Sequence, residues 1–232
     1  VEQNEELTQI GPGTPMGELL RRYWYPIAFE QDFDTVPSKT VRLLSENWTL
    51  FKTPKSGRYG IVAEACPHRS ASLTYGVVHE DGIRCGYHGW KWDFDGTCVE
   101  QPAESDNQNF RDRVKQKAGK AEVMGGMVWV YVGPDPAPEL PRFDVFVMDG
   151  IKDVGYTTLP CNWLQIMENS VDPHHVEWLH GYYFEFLGQT EGFDAPKAFQ
   201  KKHLRTGFEE MDWGILKRRV LEGGTEDNDD WK

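Results

Sequence analysis

Cys66-Pro67-His68-Arg69 and Cys85-Gly86-Tyr87-His88-Gly89-Trp90, with residues 69–84 between the two Cys-His pairs, decide the reading of this chain. Each stretch offers one thiolate and one imidazole from a short loop. Pro67, Gly86 and Gly89 suit tight loops whose backbone N–H groups can point at sulfur. Two soft thiolates with two imidazoles fit either a tetrahedral zinc ion or an iron–sulfur cluster. The Cys-x-His hook is shorter than the usual zinc-finger spacing, which weighs against zinc. The other two cysteines, Cys98 and Cys161, have no partner at comparable spacing and are expected to be small buried hydrophobes.

Outward from these loops the chain reads as strands. Val41–Leu44, Trp48–Lys52, Tyr59–Ala63, Gly76–Val78, Gly82–Arg84 and Val128–Val132 are short β-rich runs. Turn residues separate them at Lys55-Ser56-Gly57, Glu80-Asp81-Gly82 and Asp93-Phe94-Asp95-Gly96, so residues 41–133 predict a small all-β domain. Residues 103–120 are polar and read as a surface excursion. Before this domain, 1–40 form an N-terminal arm with a helical spacing of apolar residues from Met16 to Tyr25 that stops at Pro26. After it, Gly133-Pro134-Asp135-Pro136-Ala137-Pro138 can continue neither strand nor helix and marks a linker. In 139–232 a helix is expected from Asn162, a good N-cap with Gln165 three residues on, and Gly214–Leu221 is strand-like.

The chain has 232 residues and a formal net charge of −12, with Lys+Arg 25 against Asp+Glu 37. An acidic chain lacks the basic face that nucleic-acid phosphates or an anionic membrane surface require. No apolar run approaches the ~20 residues that span a bilayer, and the acidic start Val1–Glu6 is not a signal peptide. The expectation is a soluble cytoplasmic protein that binds neither nucleic acid nor membrane.

The two Cys-His loops, with the trailing Arg69 and the Gly89-Trp90 pair, closely resemble the Rieske signature of ring-hydroxylating oxygenases. The resemblance implies a Rieske [2Fe-2S] cluster held by Cys66, His68, Cys85 and His88. Imidazoles in place of two thiolates raise its potential above that of an all-thiolate cluster. A second segment extends the resemblance: Glu168-Asn169-Ser170-Val171-Asp172-Pro173-His174-His175-Val176-Glu177-Trp178-Leu179-His180 holds three of the chain's seven histidines. Asp172, His175 and His180 are similar to the Asp-x-x-His-x-x-x-x-His segment of the same family. That likeness implies a mononuclear Fe(II) on His175 and His180, with a carboxylate completing a facial triad. It also implies that Asp172 is an inter-subunit electron bridge, meeting His88 of the next chain in a homotrimer. The plain alternative for Asp172 is a helix N-cap. His174 matches no ligand position and reads as a surface or supporting group. Asn169 reads slightly better as a helix-surface polar group than as a pocket residue.

The spacing itself carries a constraint. On a straight α-helix i and i+5 leave the same face, so His180 is expected at a distorted turn or past a helix end, with Gly181 as terminator. The implied fold is α+β: an all-β Rieske domain (41–133) beside an antiparallel-sheet-plus-helix catalytic domain. The arm 1–40 would belong to that catalytic domain, and 134–232 would be its first part. Its third iron ligand is expected beyond Lys232, since Glu185, Glu191, Asp194 and the acidic tail match no ligand position, and the chain is expected to be part of a longer subunit. Trp163, Trp178, Tyr182, Tyr183 and Phe184 would line a pocket or fill a core. The implied activity is that of an oxygenase component using O2 and electrons from a reductase or ferredoxin. It would hydroxylate or O-demethylate an aromatic compound, and the local sequence leans toward the α3 O-demethylase and phthalate-type branch. The competing reading is a Rieske ferredoxin-like carrier, which needs only residues 40–133.

Overall fold

The computed structural model describes residues 4–104, 108–195, 197–212, 214–228 and 231. They form two compact units, 1–157 and 158–232. The first unit holds two antiparallel sheets. One has six strands in the order β1 (Tyr25–Phe29), β10 (Met127–Tyr131), β9 (Ala118–Met124), β4 (Tyr59–Ala63), β3 (Glu46–Lys52), β2 (Ser38–Leu43). The other runs β5 (Val77–His79), β6 (Gly82–Arg84), β7 (Lys91–Trp92), β8 (Cys98–Glu100).

The two-residue period of a strand explains how one sheet serves two cores. In β3, Trp48 and Leu50 enter a core with Ile61, Val128 and Val130, while Phe51 enters a second one with Val62, Ile83, Trp92 and both loop cysteines. Trp48, Leu50, Phe51 and Trp92 are wholly buried, each contributing about 1.5–3 kcal/mol of burial. The second core is the floor under the two Cys-His loops.

Several segments depart from their sequence reading. The helix Pro15–Leu20 (α1) ends earlier than expected, at Leu20, and Tyr25 already begins β1. Tyr25–Phe29 pairs with β10, and Ala28 and Phe33 enter the first core, so the end of the arm is built into this sheet. Part of the 103–120 excursion is strand, since Ala118 and Gly119 pair with Val62 and Ile61. The first unit also runs past the Pro-rich linker. Trp24 Nε1 donates to Pro138 O (2.8 Å), Phe146 packs on Trp129 and Tyr156 on Phe29.

The second unit contains α2 (Trp163–Val171), a π-helical segment Val176–Tyr183, α3 (Phe184–Glu191) and the hairpin β11 (His203–Met211) with β12 (Gly214–Leu221). Asn162 caps α2 as expected, accepting the Leu164 N–H (3.1 Å). Helix α3 ends at Gly192 in the left-handed region, φ 82°. No helix among the described residues is long and apolar enough to cross a membrane.

Candidate metal centres

The two Cys-His loops share one backbone design. In the first, Cys66 N–H donates to Ala71 O (2.9 Å), Ser70 N–H donates to Cys66 O (2.8 Å), and Ser70 has φ 56°. In the second, Cys85 N–H donates to Trp90 O (2.8 Å), Gly89 N–H donates to Cys85 O (3.1 Å), and Gly89 has φ 75°. Each loop thus closes on its cysteine through a residue in the left-handed region, a conformation glycine adopts at little cost. The hairpin strands of the small sheet hold the loops from below. Arg84 Nη1 donates to Gly89 O (2.9 Å), and Arg84 Nη2 pairs with Glu100 (2.6 Å). Lys91, almost fully buried, bonds Asp81 (2.7 Å) and Glu100 (3.1 Å). Burial alone would lower the Lys91 pKa, but its two carboxylate partners outweigh burial and raise it.

The side chains converge. Cys66 and Cys85 are buried, His68 is half-buried and His88 exposed. The His68 and His88 rings lie 4.6 Å apart, edge to face, and His68 stacks on Trp90 at 4.5 Å. Burial pushes the Cys66 thiol up to about 11, and the adjacent Cys85 adds to this, while the His68 backbone N–H acts to lower it. Two buried thiols side by side fit a cationic centre that holds both as thiolates. The imidazole pair on the solvent side completes a two-sulfur, two-nitrogen set. Cys98 is buried as expected, but Cys161 is exposed, because it precedes α2 in an extended stretch rather than a core.

In the second unit the five-residue spacing is met by a distorted turn, one of the two expected solutions, and not by a helix end: Val176–Tyr183 is a π-helix, whose i→i+5 bonds make the turn wider than an α-turn. The wider turn returns His180 to the face of His175, with ring centroids 5.3 Å apart. Gly181 therefore does not terminate the helix. It lies inside the segment, buried, where a Cβ would stand 2.9 Å from Phe199 O. Tight passage of the Phe199 backbone is its reason for being glycine.

Asp172 follows α2 directly and caps the next turn. Its Oδ1 accepts the His174 N–H (2.9 Å) and Oδ2 the His175 N–H (3.2 Å), while His175 Nδ1 lies 3.5 Å from Oδ2. The two backbone donors, His174 first, hold the carboxyl below its usual range. The N-cap reading and the ligand-orienting reading thus describe one geometry. Asn169 is not merely a helix-surface group, since its amide nitrogen is 3.4 Å from His175 Nε2. His175 and His180 fit two ligands of one ion. Among the described residues no carboxylate converges with them. Trp178, Tyr182 and Tyr183 are exposed rather than packed in a core of this unit.

Sequence reasoning passed over one further constellation. His174, Glu177 and His203 present ligand atoms within 4.8 Å of one another. His203 opens β11, and its backbone N–H donates to Glu177 Oε2 (3.1 Å). His174 was visible as an odd histidine, but nothing near Glu177 in sequence points to residue 203.

Residues 23–116, within the first unit, match the Rieske [2Fe-2S] domain family. The chain is 45% identical to the 5,5'-dehydrodivanillate O-demethylase oxygenase subunit of Sphingobium, over 99% of this chain and 54% of that protein. It is 37% identical to the phthalate 4,5-dioxygenase oxygenase subunit of Pseudomonas putida, over 88% of this chain and 46% of that one. Among solved structures, the oxygenase in the reduced oxygenase–ferredoxin complex of carbazole 1,9a-dioxygenase aligns with a TM-score of 0.61. That match has 25% identity and covers 76% of this chain and 45% of the other. The chain thus carries a Rieske [2Fe-2S] domain over residues 23–116 and is similar, over most of its length, to oxygenase subunits of the O-demethylase and phthalate type. It spans about half the length of the curated relatives it matches.

Proposed function

We propose that this chain is the first part of an oxygenase subunit that O-demethylates or hydroxylates a small aromatic compound, drawing electrons from a reductase or ferredoxin. The observation that carries the reading is the π-helical phase that sets His175 beside His180, in the same chain as the paired Cys-His loops. An electron carrier has no use for a second pair of converging histidines.

In this reading Cys66, His68, Cys85 and His88 hold the [2Fe-2S] cluster, and His175 and His180 hold a mononuclear Fe(II) whose carboxylate ligand lies beyond Lys232. Iron bound there supplies reductive O2 chemistry, with positions left open by three protein ligands. The chain's own residues do the rest. The exposed His88 ring offers the cluster a path to a redox partner. Asp172 stays ionised and holds His175 through adjacent backbone N–H groups, so the ring keeps one orientation. Asn169 sets its amide beside Nε2 of the same ring. Asp172 is also the bridge to His88 of a neighbouring subunit in a homotrimer. The exposed Trp178, Tyr182 and Tyr183 are the near wall of a domain that later sequence completes. The working location is the cytoplasm.

For a methoxylated aromatic the balance is ArOCH3 + O2 + 2 e⁻ + 2 H⁺ giving ArOH, formaldehyde and water. The test supplies the full-length subunit with reductase, NADH and a methoxylated aromatic, and follows O2 uptake, phenol and formaldehyde. Uptake coupled to product supports the oxygenase. Electron transfer to an acceptor with no O2-dependent product, on every aromatic tried, identifies a Rieske ferredoxin-like carrier instead.

A further inference from the structure

The His175–His180 pair accounts for two of the three histidines in its segment. The third, His174, points the argument elsewhere. Its ring lies 5.5 Å from that of His203, and together with Glu177 these residues form the three-ligand set that converges among the described residues. Two imidazoles and a carboxylate are a good donor set for a borderline divalent ion such as zinc.

Burial supplies an independent argument. The His203 side chain is 2% exposed and that of Glu177 11%. His203 Nδ1 has a 3.4 Å contact with Glu177 Oε2, while Nε2 is buried without a hydrogen-bond partner. A buried polar nitrogen without a partner is costly, and a buried carboxylate needs a compensating partner. A divalent cation held between Glu177 and the two imidazoles would supply that compensation.

We propose that His174, Glu177 and His203 form a second divalent-metal site, of zinc-like class and structural in role, that ties the π-helical segment to the start of β11. Ligands about 2.1 Å from a common ion stand about 3–3.5 Å apart. Two of the three are fixed by packing, and the exposed His174 closes the gap by rotation. Fourfold coordination is completed by water from the exposed side. The site is distinct from the pair His175 and His180, because neither of those histidines belongs to the converging set.

The probe is zinc alone, measured by equilibrium dialysis and elemental analysis on the cluster-loaded chain after chelator treatment. The exposed Cys161 is replaced by Ser throughout, to remove a surface thiol. The expected result is about one zinc per chain, retained in His180→Ala. Affinity falls by about tenfold or more in Glu177→Gln and in His174→Ala, since losing a ligand costs at least what losing an outer-shell partner does. Zinc also raises the melting temperature of the parent but not of these two variants. His174 is at the surface, so His174→Ala tests the site even where Glu177→Gln fails to fold. No zinc binding, binding lost with His180→Ala, or binding indifferent to both His174→Ala and Glu177→Gln overturns the proposal. None of these outcomes bears on oxygen uptake, so the oxygenase reading stands or falls separately.

Discussion

His175 and His180 are five residues apart in sequence and 5.3 Å apart between ring centroids, and the π-helix between them is what reconciles the two numbers. An α-helix would turn His180 about 140° away from His175 at roughly 100° per residue. The wider turn costs hydrogen-bond quality, and such bulges recur at functional sites. Here the phase is bought by packing: Gly181 lets the segment lie against the Phe199 backbone.

Gly181→Ala pits two effects against each other. Alanine gains about 1 kcal/mol of helix propensity over glycine. Against it, the new methyl would meet Phe199 O at 2.9 Å, a contact with backbone that cannot rotate away. Overpacking of this kind costs about 1–3 kcal/mol. Net destabilisation of the second unit is expected in urea melts, and an equal or higher midpoint would show that the Phe199 contact is slack.

Gly89→Ala tests the shared loop design. The position has φ 75°, and a Cβ there would stand 3.1 Å from Pro102 Cγ. A destabilisation of about 1–2 kcal/mol is expected, together with a lower yield of assembled cluster. The matching position in the first loop already carries a side chain, Ser70, at φ 56°. Ser70→Gly is therefore expected to be tolerated, with cluster content, read by visible absorption, unchanged.

The Trp92 indole N–H is buried without a hydrogen-bond partner in the core that also holds Cys66, and Trp92→Phe removes it. A donor to a cluster sulfur favours the more negative, reduced state. The midpoint potential of the variant should fall, measured by titration against redox dyes, alongside a loss of stability from the cavity left by the smaller ring. An unchanged potential would mean that the indole serves only to fill the core.

The ion network below the second loop sets a pH dependence. Lys91 holds the Asp81 carboxyl below its ordinary pKa, and Arg84, then Lys91, do the same for Glu100. Depressed carboxylates contribute stability that is complete above their ordinary pKa of about 4 and is lost as pH falls through the lowered values. Both carboxylates are largely solvent-exposed, so each pair is worth under about 1 kcal/mol. Lys91→Met should lower stability at pH 7 and flatten its fall below pH 4. A pH profile parallel to that of the parent would show that the pairs contribute nothing.

The cluster loops were legible because their chemistry is local. Cys66, His68, Cys85 and His88 lie within two short loops, and the strands flanking them alternate with turn residues. The helix cap at Asn162 and the strand Gly214–Leu221 were legible for the same reason. The segment from Asp172 to His180 was half legible. Its spacing shows that a regular α-helix cannot serve, but the remedy depends on Phe199, a neighbour in space. Tyr25–Phe29 was read as part of an arm because its partner strand, β10, comes a hundred residues later. Glu177 and His203 were invisible as a pair for a similar reason. Each looks ordinary alone, and only the return of β11 beside the π-helix brings them together.

The most direct test of the account is the iron and acid-labile sulfide content of the anaerobically purified full-length subunit, with and without His180→Ala. A cluster on Cys66, His68, Cys85 and His88, together with an ion on His175 and His180, predicts about three irons and two sulfides per chain. In the variant about two irons and two sulfides should remain. Two irons and two sulfides in both proteins would contradict the second centre. Metal without sulfide would contradict the first.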